Sequence, residues 1–245
     1  MDLIIDFGNT LTKIAIFKGN TEVFLLAVPN IEQEELKQIL NRFPVKRSII
    51  SSVRNHPSWI SHFLEKHSLH TELDENTHLP LQIGYSTPET LGKDRLAAAV
   101  AGHMLYPDND VLVIMAGTCL TYDFVNKQGV YSGGAISPGM KMRFRALHEF
   151  TDKLPLCKTK DNIPLTGTTT HESIQSGVVN GMLAEINGII DQYRKIYNNL
   201  TVVLSGGDLN YFDKKLKNNI FAVPNIVLRG LKNILDSHAI EQRQP

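Results

Sequence analysis

The sequence predicts an α/β protein built of two related halves, and three observations carry that prediction. A shift of 109 residues lays Leu3 on Leu112, Ile5 on Ile114, Gly8 on Gly117, Leu11 on Leu120, Thr12 on Thr121 and Lys18 on Lys127 without a gap. Self-similarity at a fixed offset marks a repeated supersecondary unit. Each copy opens with an apolar run, a glycine turn and a second apolar run, and helical patterns follow. The 245 residues contain no low-complexity segment and no flexible linker, which fits two halves joined directly near residues 105–110. The expected division is 1–108 and 109–245.

Along the chain, Leu3–Ile5 reads as a short buried strand. Gly8-Asn9-Thr10 turns it into Thr12–Phe17, and Gly19-Asn20 leads to Val23–Val28, completing a three-stranded meander. Asn30 is the expected cap of a helix starting at Ile31, with Gln33 resembling a capping-box partner. Its apolar stripe is Leu36, Ile39, Leu40 and Phe43. Ser48–Val53 reads as a strand and Trp59–Lys66 as a short helix. The alanines of Leu96–Ala101 favour helix, with Asp94 in its first turn. In the second half, Asp110–Ile114 and Leu120–Val125 flank the Gly117-Thr118 turn, and strand pieces reach Ser137. Helices are expected from Pro138-Gly139 to Leu147, over Ser173–Tyr197 and over Ile226–Leu235. Val202–Leu204 is a strand ending in Ser205-Gly206-Gly207.

Lysine plus arginine and aspartate plus glutamate each sum to 25, so the formal net charge is zero. A duplex nucleic-acid binder usually needs a basic excess for its phosphate contacts, so no nucleic-acid partner is expected. Cys119 and Cys157 are too few for a disulfide framework and too far apart for a CxxC site. Apolar runs such as Val111–Ala116 fall far short of the ~20 residues of a membrane span. No signal-peptide pattern opens the chain, so the expected location is cytoplasmic and no membrane partner is expected.

The glycine turns suggest the chemistry. A turn of this kind exposes N–H groups, and Thr or Asn side chains add donors, so it can hold an anion. One such turn is an ordinary hairpin corner; a duplicated pair suggests a polyphosphate held by both halves. Asp6 precedes the first turn, where a carboxylate could orient a hydrated magnesium ion, and Lys13 is a candidate phosphate contact. Other signatures are missing. Gly92-Lys93 precedes Asp94 rather than Ser or Thr, so it is not a P-loop, and no GxGxxG, HExxH or GxSxG occurs. Asp94 beside Arg95 reads either as a general base with an anion-binding neighbour or as a helix-start carboxylate next to a solvated arginine.

These residues together resemble the type III pantothenate kinases. The likeness runs through Asp6-Phe7-Gly8-Asn9-Thr10-Leu11-Thr12-Lys13, Gly84-Tyr85, Gly92-Lys93-Asp94-Arg95 and Gly117-Thr118 with Thr121 and Asp123. It continues through Gly133 to Gly139, Thr170 and Ser205-Gly206-Gly207, covering nearly the whole chain. The resemblance implies the duplicated acetate and sugar kinase/heat-shock chaperone/actin-like (ribonuclease H-like) fold, with a nucleotide cleft between the halves. It implies ATP-dependent phosphorylation of the 4′-hydroxyl of pantothenate, the first step of coenzyme A synthesis. Asp6, Phe7, Gly8, Asn9, Thr10, Leu11, Thr12, Lys13 and Thr118 would bind ATP, and Asp6 would hold Mg2+ through water. Tyr85, Gly92, Lys93, Asp94, Arg95 and Thr170 would line the pantothenate site, with Asp94 as the proton acceptor. Arg95 would pair with the pantothenate carboxylate or hold Asp94. A homodimer and a monovalent cation, K+ or NH4+, are also implied.

One position departs from the family pattern. Where the family has the Asp of Asp-x-Gly-Thr, which helps bind the monovalent cation, this chain has Met115. A thioether is a poor ligand for a hard cation. Potassium dependence through this position is expected to be weak or absent, or the site to be completed by backbone carbonyls. Two alternatives to the pantothenate reading are a kinase of another small alcohol and a non-enzymatic Bvg accessory factor-like regulator. Asp6 and Asp94 together favour an enzyme. A chaperone or actin-like filament would need extra subdomains that 245 residues do not provide.

Overall fold

The computed structural model describes residues 1–241. Its first sheet is built from β1 (Asp2–Phe7), β2 (Thr12–Lys18), β3 (Thr21–Val28), β4 (Arg47–Ser52) and β5 (Leu69–Glu72), in the order β3-β2-β1-β4-β5. β1 is antiparallel to β2 and parallel to β4, and β4 is parallel to β5. The second sheet contains β6 (Gln82–Ile83), β7 (Asp110–Ala116), β8 (Cys119–Val125), β9 (Val130–Pro138), β10 (Leu200–Ser205) and β11 (Phe221–Ala222). Its order is β11-β10-β7-β8-β9-β6. β7 is antiparallel to β8 and parallel to β10, and β10 is parallel to β11. Apart from β6, the second sheet therefore repeats the order of the first, which is the expected duplication expressed as topology.

The repeat is not gap-free in three dimensions. Phe7 pairs with Thr12, leaving residues 8–11 in the first turn, whereas Ala116 pairs with Leu120, leaving only residues 117–119 in the second. Beyond the turn the structural offset is therefore 108, not 109. Thr12 corresponds to Leu120, and the Leu11/Leu120 and Thr12/Thr121 identities lie one register step apart. A one-residue step in a strand moves a side chain to the other face of the sheet.

The helices are α1 (Gln33–Arg42), α2 (Trp59–Glu65), α3 (Lys93–Leu105), α4 (Met140–Glu149), α5 (Thr170–Ile196), α6 (Leu209–Phe212) and α7 (Ile226–Glu241). α1 begins two residues later than Asn30 suggested. Glu32 is its N-cap, and the Glu32 N–H donates to Glu35 Oε2 at 3.2 Å, so this pair supplies the capping box. At the start of α5, Thr169 accepts from the Glu172 N–H and Glu172 accepts from the Thr168 N–H.

The chain forms two compact units. The first comprises Met1–Pro107, Gln128–Ser132 and the chain from Asn225 through α7; the second comprises Asp108–Lys127 and Gly133–Pro224. Each has its own core. Leu3, Ile5 and Phe7 of β1 pack with Ile14, Ile16, Leu36 and Ile50 in the first. Leu112, Ile114, Tyr122, Phe124, Met182, Ile186 and Leu204 pack together in the second. Each fully buried side chain of this size contributes about 1.5–3 kcal/mol.

α3 and α7 lie against each other inside the first unit. Residues Arg95–Gly102 of α3 are all buried, which is why this helix is alanine-rich rather than striped. A Cβ at Gly230 of α7 would lie 1.7 Å from the Ala97 carbonyl oxygen, so only glycine permits this approach. α7 is also tied to the sheet by charge. Buried Lys232 lies 3.4 Å from Asp2 and contacts Asp236, while Arg47 bonds Asp2 at 2.6 Å and Asp236 at 2.7 Å. Among the described residues no helix is long and apolar enough to cross a membrane.

Candidate active site

The C-terminal end of β1 and the start of β2 bring Asp6 opposite Lys13 as a cross-strand pair. Asp6 is only 6% exposed, and its Oδ1 has no hydrogen-bond partner among the described residues. Burial pushes its carboxyl up to about 7; the charge of Asp94 pushes the same way, and Lys13 opposes both. Beside Asp6 in the parallel register is Ser51, whose buried hydroxyl also lacks a partner among the described residues. Lys13 Nζ donates to Asn225 Oδ1 at 3.2 Å.

The turn itself is closed by the Gly8 N–H donating to the Leu11 carbonyl at 3.1 Å. Gly8 is half-buried, and Asn9, Thr10 and Leu11 are exposed. Phe7 and Thr12 are placed differently. Phe7 is buried, with its ring stacked on His56 at 4.8 Å, and the Thr12 hydroxyl accepts from Arg54 Nη2 at 2.9 Å. Both side chains anchor the ends of the turn rather than line its open side.

The second cluster comes from the start of α3. Gly92 is the N-cap, and its carbonyl accepts from the Leu96 N–H at 3.0 Å. Lys93 and Asp94 follow in the first turn, both half-buried, and Asp94 Oδ1 accepts from the Arg95 N–H at 2.9 Å. Arg95 is 7% exposed, so it is not the solvated neighbour that one sequence reading allowed. Tyr85 lies 6.1 Å ring to ring from Tyr131, in a segment pinned where the Gly84 N–H meets the Tyr131 carbonyl.

In the second unit, the Gly117-Thr118 turn is enclosed by two other glycine turns. The Gly139 N–H donates to the Thr118 carbonyl at 3.2 Å, and the Asp208 N–H to the Ala116 carbonyl at 2.9 Å. A Cβ at Gly139 would fall 2.1 Å from the Gly117 oxygen, and one at Gly206 would fall 2.2 Å from the Ala116 oxygen. Thr118 is exposed at the tip, while Met115 is half-buried and pairs with Thr121 on one side and Ser205 on the other. Asp208 is held above the usual carboxylate range by burial, against the charge of Lys141. Thr170 is the exposed first residue of α5.

The structure thus brings Asp6, Lys13 and Asp94 together in the first unit and places Thr118, Met115 and Thr170 in the second. Sequence reasoning missed Asn225 and Ser51. The signal for Asn225 was a cap-type residue between Pro224 and an apolar helix. Among the described residues there is no group of three or more His, Cys, Asp or Glu suited to a metal. A cation at this site would be held by Asp6, with water and phosphate supplying its other ligands.

The family model for type III pantothenate kinase matches residues 2–192. The chain belongs to the type III pantothenate kinase family. A type III pantothenate kinase of Phocaeicola vulgatus is 48% identical over 236 residues, which cover 96% of this chain and 98% of that protein. Among solved structures, a Campylobacter jejuni protein described as a Baf family transcriptional activator aligns with a TM-score of 0.60 and 18% identity, over 97% of this chain and 99% of that one. A Listeria monocytogenes protein described as an N-acetylmannosamine kinase gives 0.52 and 12%, over 99% of each chain. These likenesses show the fold of this family member, the duplicated α/β fold shared by acetate and sugar kinases, heat-shock chaperones and actin.

Proposed function

We propose that this type III pantothenate kinase transfers the γ-phosphoryl group of ATP to the 4′-hydroxyl of pantothenate, opening coenzyme A synthesis. The observation that carries the reading is the grouping of Asp6, Lys13 and Asp94 in one unit, in a chain whose family membership supplies the substrate class. Phosphoryl transfer asks the protein for positioning and charge stabilisation rather than covalent help. The N–H groups after Gly8, together with Asn9 and Thr10, hold phosphate oxygens, and Lys13 adds a fixed positive charge. The family resemblance also gives Thr118 a part in nucleotide binding.

Asp6 fits a magnesium ion. Its buried, unpartnered Oδ1 and its pKa near 7 describe a carboxylate that the nearby Lys13 charge does not fully compensate. When bound there through water, Mg2+ would neutralise charge on the phosphate oxygens. Asp94 accepts the hydroxyl proton: its Oδ1 is held by the Arg95 N–H, which fixes the carboxylate and leaves Oδ2 for the proton. The family resemblance assigns Tyr85, Gly92, Lys93, Arg95 and Thr170 to pantothenate binding. No monovalent cation is assigned to Met115, whose sulfur is a poor partner for potassium. A homodimer belongs to the same reading and rests on the family resemblance.

The test is a coupled assay with ATP, magnesium and pantothenate. Wild type is expected to turn over at a rate that potassium barely changes, and Asp94→Asn to lose at least about 10²-fold in kcat. A wild type that consumes no ATP with pantothenate, under potassium or ammonium, would sink the reading. Near-normal turnover by Asp94→Asn would remove Asp94 as the base. Strong potassium activation would show that Met115 does not prevent cation binding.

A further inference from the structure

We infer that Asn225 is a positioning residue that aims the Lys13 ammonium at the nucleotide phosphates; this rests on the kinase reading above. Asn225 is the one non-glycine residue among those described with a positive φ, +53°. Only Asn, Asp and a few other residues enter that region without a large penalty. Its carbonyl accepts from the Leu228 N–H at 3.0 Å, opening α7. The bend sends the side-chain oxygen to Lys13 Nζ at 3.2 Å, across 212 positions of sequence.

The mounting behind Asn225 is firm. Directly after it, Ile226, Val227 and Leu228 are buried, and the Lys232–Asp236–Arg47–Asp2 network ties the same helix to β1 and β4. Lys13 is therefore held at its tip by Asn225, while its backbone is fixed opposite Asp6 in the β1–β2 register. The chemistry of the grip matters. A neutral amide oxygen takes one of the three ammonium donors and leaves the charge uncancelled, so the remaining donors serve an anion at full strength. A flexible lysine without this hold would lose rotamer freedom each time phosphate bound.

A double-mutant cycle tests this cleanly, because glycine tolerates the same backbone angle and Asn225→Gly removes only the side chain. MgATP affinity is read by calorimetry, beside pantothenate turnover and thermal unfolding. Asn225→Gly is expected to weaken MgATP binding roughly three- to tenfold without lowering the unfolding temperature. In a Lys13→Met background the same change is expected to do nothing. Unchanged affinity in Asn225→Gly, or an equal loss in both backgrounds, overturns the role of Asn225 while leaving the kinase reading intact. A wild type that binds no MgATP overturns both.

Discussion

Asp6 is a buried residue whose charge opposes folding. Its folded-state pKa of about 7 lies above the ordinary 3.8, so the folded protein binds the Asp6 proton more tightly than the unfolded chain does. Stability from this group is complete below pH 3.8 and is lost as pH rises through about 7. Asp6→Asn should therefore be more stable than wild type at pH 8, by about 2–4 kcal/mol, with the difference vanishing near pH 4. Denaturant titrations without nucleotide or magnesium would show it; a less stable variant at pH 8 would mean that Asp6 already has its counter-charge in the nucleotide-free protein. Asp6 and Lys13 were legible in the sequence because they flank a glycine turn, whereas Asp94 stood out only through the family resemblance, its place at a helix start leaving a solvated-pair reading open. Asn225 was not legible, since nothing local connects it with a lysine at the other end of the chain.

At the scale of elements, strands and helices followed the apolar periods, and the misses have physical causes. β6 and β11 have two residues each, too few to show a period. α1 starts where two glutamates cap it, which the nearby Asn30 obscured. The hairpin turns differ by one residue, so identities that aligned in one frame do not share a face. The α3–α7 crossing was also invisible: a glycine inside a helical pattern does not say what it touches. Its role makes a sharp expectation. Gly230→Ala would drive a Cβ into the backbone of Ala97, which cannot yield like a side chain. It should destabilise by about 3 kcal/mol or more, measured by chemical unfolding. A loss of a few tenths of a kcal/mol would show that the helices can shift apart.

For the whole molecule, the repeated strand order of the two sheets shows that duplication governs the architecture. The 109-residue offset makes the duplication readable from the order of amino acids, because buried hairpins and glycine corners keep their pattern. The assignment of segments to compact units follows contacts that join distant parts of the chain. Residues 128–132 and α7 belong with the N-terminal segment. A chain ending at Pro224 should accordingly lose the first unit's packing. Hydrogen exchange is expected to show collapse of protection in β1 and α3 while β7 and β10 stay protected. Full protection of α3 in that fragment would show that α7 is dispensable.

The same helix sets an order of events on the ribosome. Domains generally fold as they emerge, N-terminal first. Here the second unit ends at Pro224, whereas the first, although it begins at Met1, still awaits Asn225 and α7. β1–β5 must therefore wait until the second unit has been made before their closing helix follows. Asn225, which holds Lys13, is made only after the whole of the second unit, so a nascent chain cannot form the Lys13–Asn225 contact before then.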